Sequence, residues 1–256
     1  MSTNNLSTPA SGRFSLSAAA LHILAMVLML MDHLWATLLP AQDWLTCAGR
    51  LAFPIFAFMA VEGYFHTHSF RKYALRLALF AVLSEVPFDL MYGGTWFYPF
   101  HQNVIWTLLI GLSGIHLMEK VRKKQKLWIF LPTAVLVVLV GSALGTVGMA
   151  DYYGAGVLTL FIFYFFRGRK WWCFSGQLLA LYWVNVELLG GLMYPIRLFG
   201  MDFELCQQGL ALLSLLPIWL YRGRQGCHTK VFQYSCYAFY PVHMLLLALV
   251  LNCVNR

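Results

Sequence analysis

Long apolar segments alternate with short polar or glycine-rich breaks along this chain. A helix needs about 20 mainly apolar residues to cross a bilayer, and most of the segments approach that length. We therefore predict an all-α, polytopic transmembrane helix bundle of about nine spans. The predicted helices cover residues 18–36, 45–65, 73–92, 103–118, 127–144, 153–166, 171–190, 204–221 and 232–252, and the sixth is short for a span.

The composition supports the same class of protein. Hydrophobic residues make up 60% of the chain, charged residues only 11%, and the mean hydropathy is +0.67. This is more apolar surface than one soluble core can bury. Residues 1–17 are polar and are expected to form a short cytoplasmic tail rather than a signal peptide. No repeat or long linker divides the remainder, so we expect residues 18–256 to form one transmembrane domain.

The basic residues are concentrated in alternate loops. The segments HTHSFRKYALR, EKVRKKQK, RGRK and RGRQGCHTK hold 14 of the 18 Lys and Arg residues. Because cytoplasmic loops carry an excess of basic residues, this distribution predicts a multi-pass membrane protein with a cytoplasmic N-terminus. The same loops have two readings, as orientation signals beside anionic lipid or as an electropositive mouth that attracts a phosphate-bearing donor.

The sequence contains no sign of a metal site or of nucleic-acid binding. The six cysteines show neither CxxC nor Cys/His ligand spacing, and we expect most of them to be apolar packing residues. No segment resembles a nucleic-acid-binding module. The net charge of +8 is accounted for by the basic loops.

Five ionisable residues are predicted at membrane depth, where such groups are costly and usually mark a path or a reacting site. Counting about 1.5 Å per helical residue places them in the middle to outer half of the membrane. They are His33, Arg50, Glu85, Glu187 and His243. We expect them to share one polar cavity.

Asp32 and His33 are adjacent, so on a helix they point about 100° apart. Asp32 is therefore expected to pair across helices, with Arg50 as its partner, while His33 faces the cavity. Histidine suits proton transfer near neutral pH. A hydrogen-bonded histidine that merely packs between helices is the alternative.

Two further pairs have an i,i+4 spacing. Glu62 and His66 lie on one face near the predicted cytoplasmic end of the second helix, either as a helix-end contact or as part of a donor site. Glu85 and Asp89 flank Pro87, whose missing N–H leaves a carbonyl free to bond elsewhere and predicts a structural kink.

Several ordered motifs are similar to those of the TraX family of membrane proteins, whose namesake acetylates the N-terminus of a pilin. They are LHILAMVLMLMDHLW, GRLAFPIFAFMAVEGYFHTHSFRKYALRLALFAVLSEVPFDLMY, ADYYGAGVL, YRGRQG and YAFYPVHMLLL, and they run from about residue 20 to residue 250. The resemblance implies a site at the matched positions Asp32, His33, Arg50, Glu62, His66, Arg76, Glu85, Asp151 and His243.

The family is distantly similar to membrane acyltransferases that use cytoplasmic acyl-CoA. Many of those carry a basic residue eleven positions before the first-helix histidine, where this chain has His22. The resemblance implies acetyl-CoA as the acyl donor. Its phosphates are expected to bind Arg71, Lys72 and Arg76, with the EKVRKKQK loop as a further candidate. His33 is expected to be the general base for an amine or hydroxyl acceptor that enters from the outer side. The acceptor classes left open are a protein N-terminus, a surface glycan and a small molecule.

Two other classes of function are compatible with the residues alone. A proton-coupled transporter or flippase also uses buried His, Glu and Asp relays, although no internal repeat is visible. A non-catalytic membrane assembly protein is the third class, for which His33→Ala would be silent.

Overall fold

The computed structural model describes residues 15–124, 126–198, 200–227 and 229–254. Their ten α-helices are α1 (Ala18–Thr37), α2 (Asp43–Gly49), α3 (Ala52–His66), α4 (Phe70–Tyr92), α5 (Val104–Lys124), α6 (Leu127–Val147), α7 (Tyr153–Phe165), α8 (Trp171–Tyr182), α9 (Leu215–Leu220) and α10 (Lys230–Val254). A π-helical segment, Trp183–Leu189, continues α8, and a 3₁₀ segment, Gln208–Ser214, leads into α9. The predicted all-α bundle is confirmed, and most of the predicted tail over residues 1–17 lies outside the described residues.

Five of the described segments are long and apolar enough to cross a membrane: Ala18–Thr37, Asp43–His66, Val104–Lys124, Leu127–Val147 and Lys230–Val254. Their outward faces are strongly apolar. On α6, Leu131, Val135 and Leu139 are each more than half exposed. Lipid is the environment in which such faces are stable, which identifies a membrane protein. The number of spans and the cytoplasmic N-terminus stay predictions.

The ends of the bundle differ in charge. We call the end that carries residues 67–69, 126, 166–170, 221–227 and 229 the basic end, because the basic segments lie there. Residues 38–42, 93–103, 148–152, 190–198 and 200–207 form the opposite end. Helix α1 runs from the basic end to the opposite end, and α3 returns beside it. In the core, α1 packs on α3 and α10, while α5 packs on α4, α6 and α7.

The second predicted helix is interrupted at residues 50 and 51, between α2 and α3. Pro54 explains the break, because a proline has no N–H to donate to the carbonyl of Arg50 four residues earlier. Helix α4, by contrast, continues through Pro87.

The prediction of a helix over 204–221 is wrong at its start. Two antiparallel strands, β1 (Met193–Leu198) and β2 (Met201–Cys206), form a hairpin at the opposite end, and helical structure begins only at Gln208. Gly200 has a φ of +81°, which a tight hairpin turn requires and which glycine adopts without steric cost.

Candidate active site

Two cavities enter the bundle. One, of about 490 Å³, opens among residues of the basic end, and we call it the basic-end cavity. The other, of about 620 Å³, is lined by residues toward the opposite end, and we call it the opposite-end cavity. The polar residues of the opposite-end cavity come from separate parts of the chain and include Asp32, His33, Thr46, Arg50, Tyr92, His101, Asp151, Tyr152, Gln207 and Gln208.

A pair of buried histidines lies beside the opposite-end cavity. His33 on α1 is 7% exposed and His243 on α10 is 6% exposed. His33 Nδ1 and His243 Nε2 are 2.7 Å apart, and the two ring planes differ by only 7°. The other nitrogen of His243, Nδ1, is 2.6 Å from the backbone carbonyl oxygen of Phe239.

The carbonyl of Phe239 decides where the protons of this pair lie. A carbonyl oxygen only accepts hydrogen bonds, so His243 Nδ1 carries the proton and donates it. In a neutral His243 the Nε2 atom is then an acceptor, which makes His33 Nδ1 the donor. Buried sites favour the neutral imidazoles, because a charged ring would lose its hydration. His33 therefore keeps an unprotonated, basic Nε2, and the His33 side chain lines the opposite-end cavity.

The ion pair predicted between Asp32 and Arg50 is present. Arg50 Nη2 donates to both carboxylate oxygens of Asp32. Thr46 Oγ1 donates to Asp32 at 2.8 Å, and Arg50 Nη1 donates to Gln208 Oε1 at 3.3 Å. Such additional hydrogen bonds are what makes a buried ion pair tolerable. The Nε of Arg50 is buried and has no hydrogen-bond partner among the described residues.

The network continues beyond Arg50 toward the π-helical segment. Gln208 Nε2 donates to Asn185 Oδ1 at 3.0 Å, and Asn185 Nδ2 donates to the carbonyl of Leu181 at 2.8 Å. Both amide side chains are buried. The orientation of the Arg50 guanidinium is thereby tied to two separate parts of the chain.

The rim of the opposite-end cavity is formed by two loops that contact each other. His101 Nε2 lies 3.4 Å from Asp151 Oδ1, and the hydrogen bond from the ring to this carboxylate raises the pKa of His101. Tyr152 has a φ of +60°, in the left-handed region that is strained for a non-glycine residue. Its ring stacks on Phe53 at 4.2 Å, which fixes it beside the cavity.

At the basic end, the predicted donor residues are only partly brought together. His22, Glu62, His66 and Arg76 line the basic-end cavity. The carboxylate of Glu62 receives two hydrogen bonds from Arg167, at 2.6 and 3.2 Å, while His66 Nδ1 bonds the backbone carbonyl of Glu62 at 2.8 Å. The i,i+4 pair thus meets through the backbone and not through the two side chains.

Besides His243, four predicted residues line neither cavity. Glu85 is held by the amide of Asn103 and by Trp106 Nε1, the latter at 2.9 Å, so it fastens α4 to the start of α5. Arg71 and Lys72 are exposed in the first turn of α4. Glu187 is exposed on the π-helical segment. The expectation that Glu85, Glu187 and His243 line the same cavity as His33 is therefore wrong, although His243 contacts His33 directly.

Several cavity residues were not predicted from the sequence. Tyr92, Tyr152, Tyr240 and Gln208 line the opposite-end cavity, and His101 joins them although its position favours an interfacial role. The tyrosines resemble ordinary aromatic packing residues in a chain with 16% aromatics. Only Gln208 had a usable signal, as a polar residue at the start of the apolar run GLALLSLL.

The chain is similar to known proteins over nearly its whole length. The sequence profile of the family described as TraX protein matches residues 17–251. The chain is also similar to the probable fimbrial assembly protein FimC of Dichelobacter nodosus, with 27% identity over 261 residues that cover 93% of this chain and 96% of that relative. No solved structure matches the chain.

Proposed function

Because this chain belongs to the TraX family, we propose that it is an integral membrane acetyltransferase. It moves an acetyl group from cytoplasmic acetyl-CoA to an amine or hydroxyl acceptor that is reached from the outer side. The protein is a multi-pass component of the bacterial cytoplasmic membrane, oriented with its basic end toward the cytoplasm.

The observation that carries this proposal is the hydrogen-bonded chain from His33 through His243 to the carbonyl of Phe239. It leaves a basic nitrogen on a buried histidine beside a polar cavity. A general base needs that free lone pair and a fixed orientation. His33 is the base, and His243 is the residue that positions it.

The acceptor in this reaction is a neutral amine. The amine nitrogen attacks the thioester carbonyl carbon, a C–N bond forms, and the amine proton passes to His33 Nε2. The tetrahedral oxyanion is stabilised by the positive charge of Arg50, which lines the opposite-end cavity together with His33. The C–S bond then breaks, its electron pair leaves on sulfur, and His33 returns the proton to give CoA as the free thiol.

The donor enters through the basic-end cavity. Arg76 lines that cavity, and Arg71 and Lys72 are exposed on the same helix, where they attract the phosphates of acetyl-CoA from outside it. His22 and His66 line the cavity that takes the pantetheine arm, and Glu62 is held there by Arg167.

The acceptor enters from the opposite end. The relative in Dichelobacter nodosus is named for fimbrial assembly, and the amino terminus of a surface-fibre subunit is an acceptor compatible with that name. A surface glycan or a small molecule that presents an amine or hydroxyl to the opposite-end cavity would react by the same route.

One observation favours a second function. Cavities that approach each other from opposite ends are also typical of transporters, and a proton-coupled transporter or flippase would use the buried histidines as a proton relay. Such a protein has no need to bind CoA.

Ligand-dependent thermal stability separates the two functions. A ligand that binds only the folded protein raises its melting temperature. We expect detergent-purified protein to be stabilised by acetyl-CoA and CoA more than by ATP, which controls for simple attraction of phosphates to the basic loops. His33→Ala should keep this stabilisation, because His33 does not line the basic-end cavity. Equal shifts with all three ligands, or no shift in a folded sample, would favour the transporter.

A further inference from the structure

The two cavities share part of their lining. Of the described residues, four line both cavities: Met29, Phe56, Val104 and Tyr240. They come from four helices, α1, α3, α5 and α10. Three of them are apolar, and Tyr240 and Met29 are each only 8% exposed. These four residues, which we call the ring, lie where the basic-end cavity adjoins the opposite-end cavity.

The ring lies about one helical turn from the two histidines, on the side of the basic end. Met29 precedes His33 by four residues on α1, and Tyr240 precedes His243 by three residues on α10. These spacings place each pair on one helix face, about 5–6 Å apart. Both helices run from the basic end, so the ring residues come first on that path. The centroid of the Tyr240 phenol group lies 6.4 Å from the centroid of the His33 imidazole.

We infer that this ring is the passage through which the acyl end of the donor reaches His33, and that it selects acyl groups by their cross-section. The inference rests on the proposed function, because it assumes that the donor comes from the basic end. His33 lines only the opposite-end cavity. The thioester must therefore pass the ring, and the unbranched cysteamine and β-alanine end of the pantetheine arm occupies it during the reaction.

Cross-section, and not chain length, is the property that such a ring senses. An unbranched acyl group is no wider than the cysteamine and β-alanine end of the pantetheine arm that follows it through. The opposite-end cavity, at about 620 Å³, has room for several carbons beyond the thioester. A branched carbon beside the carbonyl is wider than this unbranched end of the arm and must push packed side chains apart, which close-packed interiors resist.

Two isomeric donors measure this selection. n-Butyryl-CoA and isobutyryl-CoA have the same atoms and differ only in branching. Purified protein is given either donor with hydroxylamine as a small neutral acceptor, and the hydroxamate formed is quantified by mass spectrometry. The rate with His33→Ala is subtracted as background. For each protein the result is the ratio of the isobutyryl rate to the n-butyryl rate.

Enlarging the ring should raise that ratio. A single methylene group in an apolar pocket changes discrimination by about tenfold or more, so we expect Met29→Ala and Phe56→Leu each to raise the ratio about tenfold. Met31→Ala and Phe58→Leu are matched controls on the same helices that line neither cavity, and they should leave the ratio within about twofold of wild type. Because the intrinsic reactivity of each thioester is the same for every protein, it cancels in the comparison.

The possible outcomes distinguish a failure of the role proposed for the ring from a failure of the proposed acetyltransferase function. Acetyl transfer by the wild type with an unchanged ratio in the ring variants would overturn the role of the ring and leave the acetyltransferase standing. A wild-type ratio equal to that of the uncatalysed reaction would also overturn it, even if the ring variants do not fold. A wild type no faster than His33→Ala with acetyl-CoA would remove the proposed function, and the inference with it.

Discussion

At the residue scale, the central feature is that a backbone carbonyl determines which nitrogen of His33 is basic. Phe239 accepts from His243, and His243 in turn accepts from His33. Neither step requires a carboxylate, so the adjacent Asp32 is free to pair with Arg50. Two neighbouring residues, Asp32 and His33, thereby serve different parts of the site.

This arrangement predicts opposite results for two substitutions of His243. In His243→Gln the new side-chain oxygen reaches the position that Nε2 occupies in the wild type, so it can still accept from His33. In His243→Asn the shorter amide reaches only the position of Nδ1 and leaves His33 without an acceptor. We expect His243→Gln to keep kcat within about tenfold and His243→Asn to lower it about 100-fold or more.

The Michaelis constant for acetyl-CoA distinguishes positioning from a general packing defect. His243 lines neither cavity, so both variants should keep the KM of the wild type. Solid-state ¹⁵N spectra of His33 should show protonated Nδ1 in the wild type and in His243→Gln, but not in His243→Asn. Equal losses of kcat in the two variants would argue that His243 only fills space.

At the element scale, the close approach of α2 to α1 holds the ion pair in place. Gly49 ends α2 directly against the side chain of Asp32. A Cβ at this position would lie 2.7 Å from Asp32 Oδ1 and 2.8 Å from its Cγ, which is closer than van der Waals contact allows. The absence of a side chain at Gly49 is therefore a condition for the contact between Asp32 and Arg50.

Gly49→Ala should accordingly destabilise the protein, by about 1–3 kcal/mol as overpacked sites do. Gly63→Ala on α3 is the matched control, because its nearest neighbour is the end of the Tyr73 side chain at 3.3 Å. Alanine favours a helix over glycine by about 1 kcal/mol, so this control should be neutral or stabilising. Melting temperatures measured in the same detergent compare the two, and an equal loss in both would contradict the role assigned to Gly49.

Most helices could be predicted from the sequence, because each long apolar segment has one stable form in a bilayer. The hairpin at 193–206 could not, since strand pairing depends on a partner segment and the alternation in YPIRL is short. The break before α3 could be rationalised from Pro54, but its exact place depends on the packing of Gly49 against Asp32.

The candidate site was predictable only in part for a related reason. An ionisable residue in an apolar segment is costly and usually functional, and this predicts a site role for four residues. They are His33, Asp32, Arg50 and His243. Which of them face one cavity depends on helix rotation, and this separates His33 from Glu85. Tyr240 gave no signal at all, because its role follows from its position between two cavities.

At the scale of the whole molecule, the distribution of charge and the two cavities describe one path. The basic loops lie at one end, the basic-end cavity opens among them, and the ring lies where it adjoins the cavity of His33. A charged donor attracted at one end and an acceptor bound at the other would meet beside the buried histidine pair. The apolar outer faces of the helices keep this path inside a lipid bilayer.

The most direct test of this account follows the acetyl group itself. Bacterial membranes that contain either the wild-type protein or His33→Ala are incubated with acetyl-CoA labelled in the acetyl group. Label transferred to proteins, glycans and small molecules is then counted together. We expect transfer of the label to depend on the wild-type protein and to fall about 100-fold or more in His33→Ala. The two membranes must contain equal levels of protein, and His33→Ala must still bind acetyl-CoA. Equal transfer in the two membranes, or none above membranes that lack the protein, would contradict it.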